Sequence, residues 1–153
     1  ETPMRRILLP FTLSAVLLGL SAAASAGESI HFNSPSGKIH CAGDSRLEFG
    51  KDGWWGVTCE IRDSVENIRP QQKRPSVEEC PLDWGNSFSL EANGRPTVDC
   101  RGDTSMKAGS PTLAYGKTIR GRGWQCTSHQ DGMLCKNRSG HGFKLSSKLQ
   151  QLF

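Results

Sequence analysis

The sequence predicts an all-β fold, a small disulfide-stabilised barrel or sandwich of antiparallel hairpins. Apolar residues recur with period two in short runs, the spacing of strands with one buried face. Those runs are punctuated by 17 glycines and 8 prolines in a chain of 153 residues. The 6 cysteines complete the pattern, because an even count in a short exported chain reads as a disulfide framework that supplements a modest core.

Export is inferred from the N-terminus. Met4, Arg5 and Arg6 form a short basic start, residues 7–20 are an apolar run, and Ala24-Ser25-Ala26 is a small-x-small site. That order is a secretory signal peptide, and the run falls short of the roughly 20 residues a spanning helix needs. Glu1-Thr2-Pro3 read as an N-terminal remnant ahead of an initiator Met4. The expected organisation is a signal peptide with that remnant over 1–26 and a single secreted, disulfide-bonded β domain over 27–153, periplasmic or extracellular. No cysteine follows the cleavage site, which disfavours a lipid anchor. A polytopic membrane protein and a large multidomain enzyme are excluded by length and composition.

Candidate strands, in order, cover 30–33, 38–42, 54–61, 87–92, 96–101, 112–115, 118–120, 123–128, 133–137 and 142–145. In the second and third, Ile39 and Cys41 share a face with Trp55, Val57, Cys59 and Ile61. Turns fall at Pro35-Ser36-Gly37, Asn93-Gly94, Asp131-Gly132 and Ser139-Gly140. Asn93-Gly94 suits a two-residue hairpin, since both residues tolerate positive φ. The stretch 63–79, charged and carrying Pro70 and Pro75, reads as an exposed loop. Leu145, Leu149 and Leu152 recur at i, i+4 and i+7, which predicts a short C-terminal helix capped by Ser.

Six cysteines allow 15 pairings, and sequence alone does not choose among them. Hairpin register favours one. A four-residue loop 129–132 sets Ser128 against Met133, Thr127 against Leu134 and Cys126 against Cys135, close enough to bridge. Cys41 opposite Cys59 puts Ile39 opposite Ile61, and Cys80 and Cys100 are left to pair. The two disulfide hairpins echo each other faintly, Gly37-x-Ile-x-Cys41 with Gly56-Val-x-Cys59 against Gly123-Trp-x-Cys126 with Gly132-x-Leu-Cys135.

The same register pairs His40 with Glu60 and Arg46 with Trp54 on the face away from the disulfide, an expected exposed patch with a cation-π contact. Trp55 and Trp124 are expected in the core, Trp84 over a disulfide and Trp54 at the surface as a binding residue. His40, Glu60 and His141 are the candidates for acid-base catalysis, His141 with Asp103 or an arginine. The G-x-S-x-G, P-loop and zinc-protease patterns are missing. Without C-x-x-C or H-x-x-x-H spacing no metal or other cofactor is expected.

Charge is divided along the chain. Residues 27–99 carry 8 basic and 12 acidic side chains, whereas 100–153 carry 9 basic and 2 acidic. If the halves remain apart in the fold, one face attracts anions through Arg120, Arg122, Lys136 and Arg138.

The blocks Phe32-Asn-Ser-Pro-Ser-Gly-Lys-Ile-His-Cys41, Cys80-Pro-Leu-Asp-Trp-Gly85, Cys100-Arg-Gly-Asp-Thr104, Leu113-Ala-Tyr-Gly116 and Gly140-His-Gly-Phe-Lys-Leu-Ser146 span nearly all of the mature chain. This arrangement resembles a small secreted bacterial six-cysteine family with no established activity. The resemblance implies export and a disulfide-bonded single domain, and carries over no catalytic residues. The 63–79 loop and the Trp54-Trp55 pair have no counterpart in it.

The expected function is that of an exported, non-catalytic binding protein contacting an anionic envelope polymer or another protein, in an inhibitor, immunity or effector-like role. A lysozyme inhibitor would need the acidic half to supply the contact, because lysozymes are cationic. The rival is a small secreted hydrolase, a metal-independent ribonuclease or glycan-cleaving enzyme. Nucleic-acid binding is the weaker alternative, and no stable membrane insertion is expected after signal cleavage.

Overall fold

A computed structural model describes residues 29–44, 55–62, 72–148 and 150–153. The expected signal peptide, Arg46, Trp54, Leu149 and the first part of the 63–79 loop lie outside the described residues. Among the described residues no helix is long and apolar enough to cross a membrane.

Ten strands form two antiparallel five-stranded sheets. The first is the meander β1 (Ile30–Asn33), β2 (Ile39–Gly43), β3 (Gly56–Ile61), β4 (Asp83–Glu91) and β5 (Thr97–Arg101); the second is β6 (Thr118–Gly121), β7 (Trp124–His129), β8 (Gly132–Asn137), β9 (Gly142–Leu145) and β10 (Gln150–Leu152). The sheets pack as a sandwich and do not close into a barrel. The same five-strand meander therefore occurs twice, each time with a disulfide between its second and third strands.

Alternation selects the faces. Phe32, Ile39, Cys41, Val57, Cys59, Phe88 and Leu90 point inward from the first sheet, and Trp124, Cys126, Met133, Cys135, Phe143 and Leu145 from the second. Phe88 meets Phe143 at 6.3 Å between centroids, and Phe32 stacks on Trp124 at 6.4 Å. Cys41–Cys59 and Cys126–Cys135 each bridge strand pairs whose Cα atoms are 4.1 Å apart, near the close separation of directly opposed residues in antiparallel strands. Cys59 Sγ lies 3.8 Å from Cys135 Sγ, so the two bridges stack at the centre of the core. Cys80–Cys100 ties the approach to β4 onto β5, with Trp84 paired opposite Cys100.

The pairings Ile39 to Ile61, His40 to Glu60, Cys41 to Cys59 and Cys126 to Cys135 all hold the expected register. Four local expectations do not hold. The C-terminal segment is strand β10, not a helix: Gln150 pairs with Leu145 and Leu152 with Phe143. The free edge of β9 offers backbone partners to the chain end, and Gln150 is fully buried there. Residues 112–115 make only one parallel bridge, Thr112 to Asn33 at the edge of β1, because the chain turns at 114–117, where Lys117 N–H donates to Ala114 O.

Asn93-Gly94 is not a two-residue hairpin, since Ser89 to Thr97 is the last pair before the loop. The loop opens to receive the β8–β9 turn: Asn137 Nδ2 donates to the carbonyls of Glu91 and Gly94, and Arg138 Nε to Asn93 Oδ1. Trp55 is half-buried, not core, because it precedes β3 and takes the Arg122 guanidinium over its ring.

Candidate binding face and a closed polar network

The outer faces of the two sheets differ. On the first, alternation turns His31, Asn33, His40, Thr58, Glu60, Ser87, Ser89, Asp99 and Arg101 outward. Segment 102–113 then crosses this face and closes much of it. Asn33 fixes its far end, donating Nδ2 to Ser110 O at 3.0 Å and N–H to Pro111 O at 2.8 Å, and accepting Leu113 N–H at 2.8 Å. Glu60 fixes its near end, accepting Thr104 Oγ1–H and Ser105 N–H at 2.6 Å each and the Ser105 hydroxyl as well. Arg101 Nη1 stands 3.4 Å from Glu60 Oε1.

The His40–Glu60 pair is thus buried, at 1% and 4% exposure, where an open patch was expected. The register placed both on the outer face correctly; the covering segment is what removes them from solvent. Burial acts to raise the Glu60 pKa, but the Ser105 and Thr104 hydrogen bonds and the Arg101 charge outweigh it and hold the carboxyl below its ordinary value. Burial, reinforced by His31, lowers the His40 pKa despite Glu60 nearby. His40 Nδ1 donates to Asn33 Oδ1 at 2.9 Å, while its Nε2 lies 3.4 Å from His31 Nδ1. Glu60 commits its oxygens to Thr104, Ser105 and Arg101, so the two side chains are held by separate partners. Farther along, Ser87 and Ser89 hydroxyls donate to Asp99, whose pKa burial raises against those bonds.

His141 lies in the β8–β9 turn of the other sheet, its N–H donating to Asn137 Oδ1 at 3.0 Å. Asp103 lies in the covering segment, its carbonyl accepting Arg101 Nε. The fold therefore does not gather the candidate catalytic residues into one open site. Cys41, Cys59 and Cys135 are the one grouping of potential metal ligands among the described residues. All three sulfurs are in disulfides, so none is a thiolate.

The outer face of the second sheet is different in kind. Arg120 pairs with Gln125, and Gln125 with Lys136, so these three side chains form one row across β6, β7 and β8. Arg120 and Lys136 are exposed and two strand spacings apart, roughly 10 Å. Lys136 Nζ sits 5.7 Å from the Phe153 ring. A shallow depression of about 390 Å³ runs from Arg120 past Gly121 and Gln125 to Lys136 and Arg138. Arg122 turns to the sheet edge: its N–H donates to Asp44 Oδ2 at 2.9 Å, and its guanidinium stacks 3.8 Å from the Trp55 centroid. Asp44 Oδ1 also accepts Trp124 Nε1–H at 2.8 Å, which satisfies the buried indole.

The strands of the second sheet carry Arg120, Lys136 and Lys144 and no carboxylate, whereas those of the first carry Glu60, Asp83, Glu91 and Asp99 against Arg101. The division of charge along the chain is therefore a division between sheets. Sequence reasoning missed Arg101, Thr104 and Ser105 as partners of Glu60, and Asp44 as the partner of Trp124. No local pattern marks contacts made across such separations.

A family model matches residues 12–153. The chain belongs to DUF6636, a family of unknown function. No curated protein and no solved structure matches it. In this DUF6636 member all six cysteines are paired in three disulfides.

Proposed function

We propose that this DUF6636 protein is an exported, non-catalytic binding protein, acting in the periplasm or outside the cell, that holds an anionic envelope polymer on the outer face of its second sheet. The observation that carries this is the pair of exposed cations Arg120 and Lys136, aligned through Gln125, in a sheet whose strands contain no carboxylate. A row of fixed cations with an approach roughly 10 Å wide suits a linear polyanion better than a compact ligand. Three disulfides support export, because such bonds persist in oxidising compartments. The burial of His40 and Glu60 beneath segment 102–113 favours binding over the hydrolase reading, two of whose three candidate groups it takes out of contact with solvent.

The test is retention of the purified mature domain on immobilised polygalacturonate across a salt series. Retention at low salt, weakening steeply as salt rises and reduced at least tenfold in Arg120→Glu/Lys136→Glu, is the expected result. Retention unaffected by that double substitution, or no capture of polymer or protein from envelope extracts at low salt, overturns the reading. N-terminal sequencing of the exported product tests the compartment and should begin at Gly27.

A further inference from the structure

Asn33, His40 and Glu60 are directly paired across β1, β2 and β3, so one outward row runs beneath segment 102–113 with an anchor at each end and a histidine between them. Asn33 holds residues 110–113, and Glu60 holds Thr104 and Ser105. Residues 105–109, which join the two anchors, form neither strand nor helix; Lys107 O turns back to accept the Ser110 N–H and hydroxyl. The part of the segment over the histidines is therefore built from local turns, while β1 and β2 below it are locked by four ladder pairs.

Partners assign the protons in this row. Ser110 O only accepts, so Asn33 Nδ2 is the donor at 3.0 Å, and Asn33 Oδ1 is left to accept from His40 Nδ1–H at 2.9 Å. Neutral His40 thus keeps its one ring proton on Nδ1, and its Nε2 lone pair faces His31 Nδ1 at 3.4 Å. The two rings stand 5.6 Å apart between centroids, tilted by 34°. A proton added to His40 goes to Nε2, and the pair accommodates it by donating it to the Nδ1 lone pair of His31. A second proton has no such place, because it sets N–H against N–H between two cations at that separation.

The surroundings make that second charge costlier. Lys107, on the segment itself, acts on His31, and Arg62, just past the end of β3, acts on His40. Glu60 and the Ser105 carbonyl favour a charged His40, but the Glu60 oxygens are already committed to Thr104, Ser105 and Arg101. Burial, then Lys107, lowers the His31 pKa; burial, then His31 and Arg62, lowers that of His40 against Glu60 and Ser105. Both rings therefore bind protons less tightly with the segment seated than in water, and a fall in pH below about 6.5 favours the state in which it is lifted. The Glu60 carboxyl is held below its ordinary value and stays charged over the same range.

We propose that segment 102–113 is an acid-released strap: once His31 and His40 are both protonated, the segment, with Lys107, lifts from the pair and uncovers the outer face of the first sheet. The first proton is shared within the pair and the second drives release, so two histidines and the lysine above them act as one device. Release exposes Asn33, His40 and Glu60, the row that the seated strap closes off. The device works on the face opposite the Arg120–Lys136 row and does not depend on what that row binds.

Amide hydrogen exchange of the full mature domain, disulfides intact and followed residue by residue by NMR, tests the strap. The Ser105 N–H reports the Glu60 anchor and the Leu113 N–H the Asn33 anchor. Corrected for intrinsic exchange, the opening constant at one or both should rise at least about tenfold between pH 7.5 and pH 5.0, while the amides of β7 and β8 keep their protection. His31→Gln leaves one ring to titrate and should hold the segment seated at pH 5.0. Lys107→Gln, at an exposed position, should keep the fold and move release to lower pH. Protection retained at both anchors at pH 5.0, the same release in His31→Gln and Lys107→Gln as in the wild type, or a simultaneous loss of protection in β7 and β8 overturns the proposal.

Discussion

Glu60→Gln is the most informative single substitution, because it keeps the shape of the side chain and removes only its charge. In the native structure Oε1 accepts Ser105 N–H and Oγ–H, Oε2 accepts Thr104 Oγ1–H, and Arg101 Nη1 lies 3.4 Å away. The glutamine oxygen can replace Oε1, and the Thr104 hydroxyl can rotate to accept from the new amide, so the bonds are re-formed as neutral ones. Hydrogen bonds to a charged group contribute about 1 kcal/mol more than neutral ones, which over three bonds amounts to about 3 kcal/mol. Arg101 also loses its counter-charge, but its side chain is 21% exposed and water compensates part of that loss. Relief from burying a carboxylate acts in the opposite direction, so the net loss is about 2 to 4 kcal/mol.

Urea unfolding with disulfides intact measures it, and the corresponding fall in Tm is roughly 10 °C for a domain of this size. The acid limb supplies a second, independent readout. The folded Glu60 pKa is held below its ordinary value. Its contribution is therefore present above the unfolded pKa and is lost as pH falls through the folded pKa. The gap between wild type and variant should narrow as the pH is taken from 7 to below 4. A gap under about 0.5 kcal/mol at pH 7, the ordinary range for a surface substitution, or one that stays constant into acid, would refute the assignment of Glu60 as the charged anchor of segment 102–113.

Other outcomes follow from the same packing. His40 is held neutral, its pKa lowered by burial and His31; wild-type stability should therefore fall as pH drops below about 6.5, and His40→Gln should flatten that slope in urea midpoints between pH 7 and 5. Alanine replacement of Cys80 and Cys100 should cost about 3 kcal/mol, as loop-closure entropy predicts. The Cys41–Cys59 bridge closes a loop of similar length, but its removal also opens a cavity beside Cys135 and should be costlier still; equal denaturation midpoints for the two variants would count against the stacked bridges. A Cβ on Gly43 would come within 2.2 Å of Trp124 Cζ2, so Gly43→Ala should displace the indole from Asp44, lower stability by about 1 to 3 kcal/mol and alter the near-UV circular dichroism.

Much of the fold was legible because strand side chains alternate with a fixed period. Once Cys126 faces Cys135 across a short turn, every pair in that hairpin is determined, and the same arithmetic placed His40 opposite Glu60. What alternation does not report is whether a face stays open. His40 and Glu60 are polar residues on an outward face, a pattern that reads as solvated; only the path of segment 102–113 makes them a buried network. The apparent helix at Leu145, Leu149 and Leu152 failed for a related reason, since residues 150–152 take their backbone partners from the edge of β9 and local spacing contains no information about that edge.

The sequence by itself determined the strand periodicity, the cysteine register and the separation of charge along the chain, because each depends on residues near one another or directly opposed across a turn. Tertiary structure decided that the two charged halves become two sheets and that one outer face is covered while the other stays open. Those features arise from contacts between segments tens of residues apart, where the packing of the sandwich selects the neighbours and no local pattern records the choice.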